Sequence, residues 1–261
     1  MLTITLIQSA LHWENVDANL TMFQDKIDAI HKQSHIILLP EMFNTGFTTQ
    51  SPHLAETMDG KTVEWMKKMA IKKKTIISGS LMIKEGEHIY NRLLWVLPNG
   101  EHYQYDKRHL FSYADEDEQF TAGTKRLIAS VNGWRLNLQI CYDLRFPVWA
   151  RQTYGVHPEY DILVYVANWP DKRKHAWKSL LIARAIENQC YVIGLNRVGT
   201  DGEGHEYGGH SMVIDPLGEV EYHKADKEDI HTFTLDKAEL NHIRNRFPFL
   251  QDGDNFTLRH K

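Results

Sequence analysis

Trp134-Arg135-Leu136-Asn137-Leu138-Gln139-Ile140-Cys141-Tyr142-Asp143-Leu144-Arg145-Phe146-Pro147 is an apolar, alternating run that ends in a thiol and then breaks. Residues 134–140 have the period-2 pattern of a strand, and Pro147 suits the first position of a helix. Cys141 therefore stands at a strand end, just before a turn, where a side chain is presented to a cleft. A turn of this kind aims backbone N–H groups at an incoming carbonyl, as acyl transfer requires. A buried cysteine packed as a small hydrophobe is the competing reading of this residue taken alone. Two other segments, met below, raise the nucleophile above it.

Working outward, Asn132-Gly133 joins this strand to residues 126–131 in a hairpin. Residues 36–39 and 161–166 are short continuous apolar runs, the signature of strands covered on both faces. Residues 3–7 alternate, 75–81 read as a strand, and 91–97 and 102–105 flank the turn Pro98-Asn99-Gly100. Strands follow over 190–196, 210–214, 220–222 and 230–235. Helical spacing occupies 19–32 (Leu20, Phe23, Ile27, Ile30), 63–74, 175–188 and 236–245. Glycine-rich residues 199–209 lack the Lys-Ser/Thr ending of a phosphate loop and read as a flexible loop before a strand. Hairpins and helices mix with no linker and no repeat. Two sheets, each carrying helices on its outer side, satisfy the pattern in a single α/β layered domain. It spans residues 1–261, with its core over about 3–245 and a tail from 246. Surfaces near residues 149–154 and the tail after Phe247 are the possible association faces.

Composition is that of an ordinary soluble chain: of 261 residues 42% are hydrophobic and 25% charged, and the net charge is −4. That balance gives no electrostatic reason to expect nucleic acid or an anionic membrane as a partner. The run Lys72-Lys73-Lys74 reads as a solvated helix end. Two cysteines make no disulfide framework, and no stretch is long and apolar enough to span a bilayer or resembles a leader. A cytoplasmic setting follows as the expectation. Fifteen histidines show no HExxH or paired His/Cys spacing, so no metal is expected.

Pro40-Glu41-Met42-Phe43 follows the buried strand over 36–39 and sets a carboxylate where α/β proteins place ligands, as a general base or as a surface cap. Tyr105-Asp106-Lys107-Arg108-His109-Leu110-Phe111 offers an ammonium that would favour a nearby thiolate and stabilise an oxyanion. Within Asp115-Glu116-Asp117-Glu118 one member could turn inward to hold that lysine. Thiol, carboxylate and ammonium together would make a nucleophile with its activator and charge stabiliser. Cys190, inside an apolar strand, reads as inert core.

These three strings, in this order, resemble the nitrilase (carbon–nitrogen hydrolase) superfamily. Asn168-Trp169-Pro170 and the stretch from Ala183 to Gln189 leading to Asn196-Arg197-Val198-Gly199 resemble it too, so the likeness covers nearly the whole chain. The resemblance is strongest to the omega-amidases, which hydrolyse the terminal amide of 2-oxoglutaramate and 2-oxosuccinamate. It implies a four-layer α-β-β-α sandwich that commonly dimerises, with a small amide and water as partners and no metal or organic cofactor. Carried onto this chain, it implies Glu41 as general base, Lys107 as oxyanion stabiliser and Cys141 as nucleophile forming a thioester, with the backbone N–H of Tyr142 as second oxyanion donor. Glu116, seven residues before Gly123, matches the family's second glutamate better than Glu118, although Ala122 stands where proline often precedes that glycine. Arg145 or Arg173 would meet the substrate's distal carboxylate, and Phe43 and Trp169 would wall the pocket. Another amide or nitrile hydrolase of the superfamily, an N-carbamoyl amino acid hydrolase among them, and an idle binding scaffold are the competing readings.

Overall fold

The structure is a computed structural model that describes residues 1–153 and 157–258. Strands β1 (Leu2–Gln8), β2 (Ile36–Leu38), β3 (Ile76–Glu85), β4 (His88–Val96) and β5 (His102–Asp106) lie side by side in that order, the first three parallel and the last three antiparallel. A second sheet is built from β6 (Leu127–Val131), β7 (Trp134–Ile140), β8 (Ile162–Ala167), β9 (Tyr191–Asn196), β10 (Val198–Thr200), β11 (Glu206–Ile214) and β12 (Val220–Ala225). Its spatial order is β6-β7-β8-β9-β11-β10, with β12 also on β11. Strand β13 (Asp229–Leu235) then returns to the first sheet, antiparallel to β1.

The sheets face each other, and strand alternation decides which side chain meets which layer. In β8, Ile162, Val164 and Val166 point into the core between the sheets, while Leu163, Tyr165 and Ala167 point outward. Helix α5 (Lys174–Asn188) covers that outer face with Trp177, Leu181 and Ala185. Helices α1 (Val16–Asp28) and α2 (Lys61–Lys73) cover the first sheet through Phe23, Ile27, Val63 and Met66 against Ile37, Leu39 and Leu94. Burial on both faces is why these strands read as unbroken apolar runs, each large side chain contributing about 1.5–3 kcal/mol by leaving water. At Gly194 an added Cβ would sit 2.4 Å from Leu181, so α5 approaches β9 too closely for any side chain. The one-turn helices α3 (Glu116–Gln119) and α4 (Pro147–Ala150) sit beside the sheet ends. Helix α6 (Lys237–Arg246) sends Leu240 into the core between the sheets, and its Arg244 donates to Asp161 at 3.0 Å.

The layers are those the sequence predicts, with three differences. Helix α1 starts at Val16 because the Asn15 side chain accepts from Ala18 N at 3.0 Å and caps it. Residues 199–209 contain the β10–β11 hairpin, with Val198 opposite Gly208 and Thr200 opposite Glu206, in place of a flexible loop. Of the suggested association face near residues 149–154, Trp149 is buried and donates its Nε1–H to the Tyr105 hydroxyl, and Tyr154 lies outside the described residues.

Candidate active site

Pro40 ends the β2 segment, and the chain turns at Met42 (φ 43°), whose N–H bonds Ser80 on β3 at 2.9 Å. This turn sets Glu41 at the mouth between the sheets, fully buried. Its Oε1 accepts from Lys107 Nζ and from Asn91 Nδ2, both at 2.9 Å, and its Oε2 accepts from the backbone N–H of Asn168 at 2.7 Å. Asn168 follows β8, so the carboxylate is gripped from both sheets. Lys107 follows β5 and is anchored through its N–H to Asn91 O at 2.9 Å. Its ammonium also donates to both oxygens of Glu116, at 3.0 and 2.8 Å. Of the four acidic residues 115–118, Glu116 is the buried one, drawn in as α3 begins and as its Oε2 accepts from Phe111 N at 2.6 Å.

Cys141 comes directly after β7 with φ 42°, a left-handed backbone that a cysteine adopts only when its surroundings hold it there. Its Sγ lies 3.9 Å from Asn168 O and lines the same cavity as Glu41 and Lys107. Tyr142 is the second residue of the 3₁₀ turn Cys141–Arg145, so its N–H is among those with no acceptor within the turn. Buried Asp143 holds this turn. It accepts from Ile140 N at 3.0 Å, Tyr105 Oη at 2.7 Å and His109 N at 2.9 Å, and thereby ties the cysteine to the lysine loop.

Burial acts on every ionisable group here. Desolvation opposes the Lys107 ammonium, but Glu116 and Glu41 outweigh it, and its pKa is raised. Glu116 is raised by burial against the pull of Lys107. The Cys141 thiol is pushed well up, first by burial and then by the charge of Glu41, and Lys107 only partly offsets both. The Lys107 ammonium does favour the thiolate, as expected, but burial and the charge of Glu41 outweigh it.

The group opens into a cavity of about 230 Å³. Arg145 and Arg173 both line it with the thiol, their guanidinium groups resting on Trp169 (4.9 Å) and Phe111 (5.1 Å). Among the described residues neither has a carboxylate within ion-pair distance. Trp169 is a wall, its Nε1 donating to Arg173 O at 2.9 Å. Phe43 is not. It points to the outer face of the first sheet, 5.6 Å from the ring of Phe23, because it lies on the far side of the turn from Glu41. Phe47 takes that place, lining the cavity over the Lys107 ammonium. Sequence reasoning also missed Asn91, Asp143 and the β10–β11 hairpin, whose Asp201, His205 and Tyr207 form another wall. A polar Asn91 amid the apolar strand over 91–97 was the one visible signal among them.

The carbon-nitrogen hydrolase family model matches residues 3–245. The chain belongs to the carbon–nitrogen hydrolase family. It is 43% identical over 261 residues to an omega-amidase, YafV, of Escherichia coli K12, with 98% of each chain covered. It is 32% identical to a 2-oxoglutaramate amidase of Bacillus subtilis 168, with 96% of each covered. A crystal structure of XC1258 from Xanthomonas campestris, described as a CN-hydrolase superfamily protein with an arsenic adduct in its active site, superposes with a TM-score of 0.97 at 41% identity over 99% of both chains. As a carbon–nitrogen hydrolase, the chain is an enzyme that cleaves non-peptide carbon–nitrogen bonds.

Proposed function

We propose that this hydrolase is an omega-amidase that releases ammonia from the terminal amide of small 2-oxo-dicarboxylic monoamides such as 2-oxoglutaramate and 2-oxosuccinamate. One observation carries the reading. A cavity with a thiol, a carboxylate and an ammonium at its floor also holds two guanidinium groups without carboxylate partners among the described residues. Such a site suits an amide with a carboxylate at its other end, since a guanidinium binds a carboxylate in bidentate fashion. The names of the relatives from Escherichia coli and Bacillus subtilis agree with it.

In this reading Glu41 takes the thiol proton as Sγ attacks the amide carbon. The thiol is neutral at rest, so the thiolate and the protonated Glu41 are generated together and the buried cluster gains no charge before the substrate arrives. The Lys107 ammonium and the Tyr142 N–H hold the oxyanion. Glu41 returns its proton to departing ammonia, leaving a thioester. Glu41 then deprotonates water, which attacks the thioester, frees the acid and restores the thiol. Glu116 keeps Lys107 aimed and steadies the amide nitrogen. Arg173 or Arg145 binds the distal carboxylate, and Trp169 and Phe47 flank the chain between.

Ammonia release from 2-oxoglutaramate, an N-carbamoyl amino acid and an aliphatic nitrile tests the reading. Turnover is expected on the first alone; turnover on either of the others with none on the oxo-acid amide overturns it. We also place the enzyme in the cytosol as a homodimer, with no organic cofactor in the reaction. Both cysteines are free thiols, which suits a reducing compartment, and the exposed apolar side chains Val148, Ile186 and Leu217 suit a covering second copy. Light scattering at twice 30.4 kDa is the expected result for the dimer.

A further inference from the structure

Beyond the Trp169 wall, three side chains from distant stretches converge. Asp171 opens the turn that carries Arg173, His210 lies on β11, and Asp226 begins the turn from β12 to β13. One potential ligand atom from each lies within 4.8 Å of the others. His210 is 8% exposed, its Nε2 has no hydrogen-bond partner among the described residues, and it stands 3.5 Å from Asp171 Oδ1, also buried and unbonded among them. Two polar atoms are thus buried face to face at ion-pair distance without a hydrogen bond, an arrangement that costs free energy unless His210 is protonated or a cation lies between them.

The second nitrogen of His210 sharpens the point. Its Nδ1 is 2.9 Å from His223 Nε2, and the two rings stack. When His210 carries that proton, its Nε2 offers a bare lone pair to a carboxylate oxygen, and two acceptors repel. That tautomer is the one a metal requires, with the outer nitrogen donating to a neighbour that fixes the ring. The backbone is shaped to the same end. A register shift between Gly209 and Ser211 puts His210 out of the ladder, with φ 59°, and a bulge of this kind re-aims a side chain. At Gly208 an added Cβ would lie 2.3 Å from Asp171 Oδ1 and 3.3 Å from Asp226 Oδ1, so only glycine lets both carboxylates approach.

We propose that Asp171, His210 and Asp226 form a binding site for one divalent transition-metal ion of the zinc class, with solvent completing the coordination. Tetrahedral ligands at about 2.0–2.2 Å from zinc lie about 3.3–3.6 Å apart, and the His210–Asp171 separation of 3.5 Å already matches. Lys174 occupies Asp171 Oδ2 at 2.9 Å and leaves Oδ1 for the ion. Asp226 is exposed and closes the set from solvent. The imidazole and carboxylate donors suit zinc or manganese. The ion would staple the Asn168–Arg173 segment, and with it one wall of the substrate cavity, to β11 and β12. It takes no part in the chemistry at Cys141.

The test is zinc binding by the full chain after chelator treatment, read by calorimetric titration with zinc chloride and by thermal melting. Because a cysteine thiol can bind zinc, the titration is run on Cys141→Ala as well as wild type. One zinc per chain is expected in both, with a melting midpoint that rises on addition of zinc. Asp226→Asn, an isosteric change at an exposed position, should weaken binding at least tenfold and abolish the rise in midpoint. His210→Asn, which tolerates the left-handed backbone, should do the same. Absence of zinc binding in Cys141→Ala overturns the proposal, and so does an Asp226→Asn protein that binds as tightly as its parent.

Discussion

The floor and the rim of the cavity are built on opposite principles. At the floor, Glu41, Asn91, Lys107 and Glu116 are buried, bonded to one another within the first sheet and α3, and one bond, from Asn168 N to Glu41, ties them to the second sheet. At the rim, Arg145 and Arg173 are half exposed on short turns, held by aromatic faces with no ion pair among the described residues. A group that must carry a fixed charge through a reaction cycle is held by every neighbour and pays for its place in desolvation. A group that must take up a charged ligand is left unpaired near solvent, where waiting costs little. On the proposed reading, the floor does the chemistry and the rim the selection.

The largest break in that contrast is Cys141→Ala, which should abolish ammonia release while leaving the melting midpoint near that of the parent; an unfolded variant would make the residue a packing element. Lys107→Ala should damage both properties. It leaves two buried carboxylates without their ammonium, a loss of about 3–5 kcal/mol, or on the order of 10 °C in melting temperature, besides the loss of turnover. At the rim, Arg173→Ala or Arg145→Ala should lower kcat/KM for 2-oxoglutaramate about tenfold to a hundredfold with little change in melting, the worth of a charge-assisted pair. An equal loss on an amide without a distal carboxylate would count against carboxylate binding.

Two smaller effects separate burial from catalysis. Cys190 lies in the apolar layer beneath α5, and burial pushes its thiol up from 9.0 to about 12. Its pKa is higher folded than unfolded, so its contribution to stability is complete below about pH 9 and fades as pH climbs toward 12. In a Cys141→Ala background, urea titrations should show that alkaline loss, at most about 1.4 kcal/mol per pH unit, and Cys190→Ala should flatten it. Phe43→Leu should cost about 1 kcal/mol of stability with KM unchanged, whereas Phe47→Ala should raise KM. The opposite pairing would return Phe43 to the pocket.

Most of the layering was legible along the chain. The unbroken apolar runs at 36–39 and 161–166 and the helical stripes over 19–32 and 175–188 report burial on one or two faces, and burial follows from local period. The turn after β7 and the buried strand before Glu41 were legible for the same reason: a strand end is a local event. Phe43 went astray because a turn residue has no period to say which face it meets. The β10–β11 hairpin was hidden because its glycines, which permit close approach and unusual backbone angles, look in a string of letters like the glycines of a loop.

By itself the sequence determined the order of strands and helices and the separate places of the thiol, the acid and the amine, because propensity, periodicity and chain breaks act over a few residues. Only the tertiary structure decided that Asn91 would bridge Glu41 and Glu116, that Asp143 would lock the cysteine turn to the lysine loop, and that burial and the charge of Glu41 would hold the thiol in its neutral form. Those outcomes depend on desolvation and on charges a few ångströms apart, and residues separated by up to 127 positions meet at such distances only after both sheets have closed on their common core.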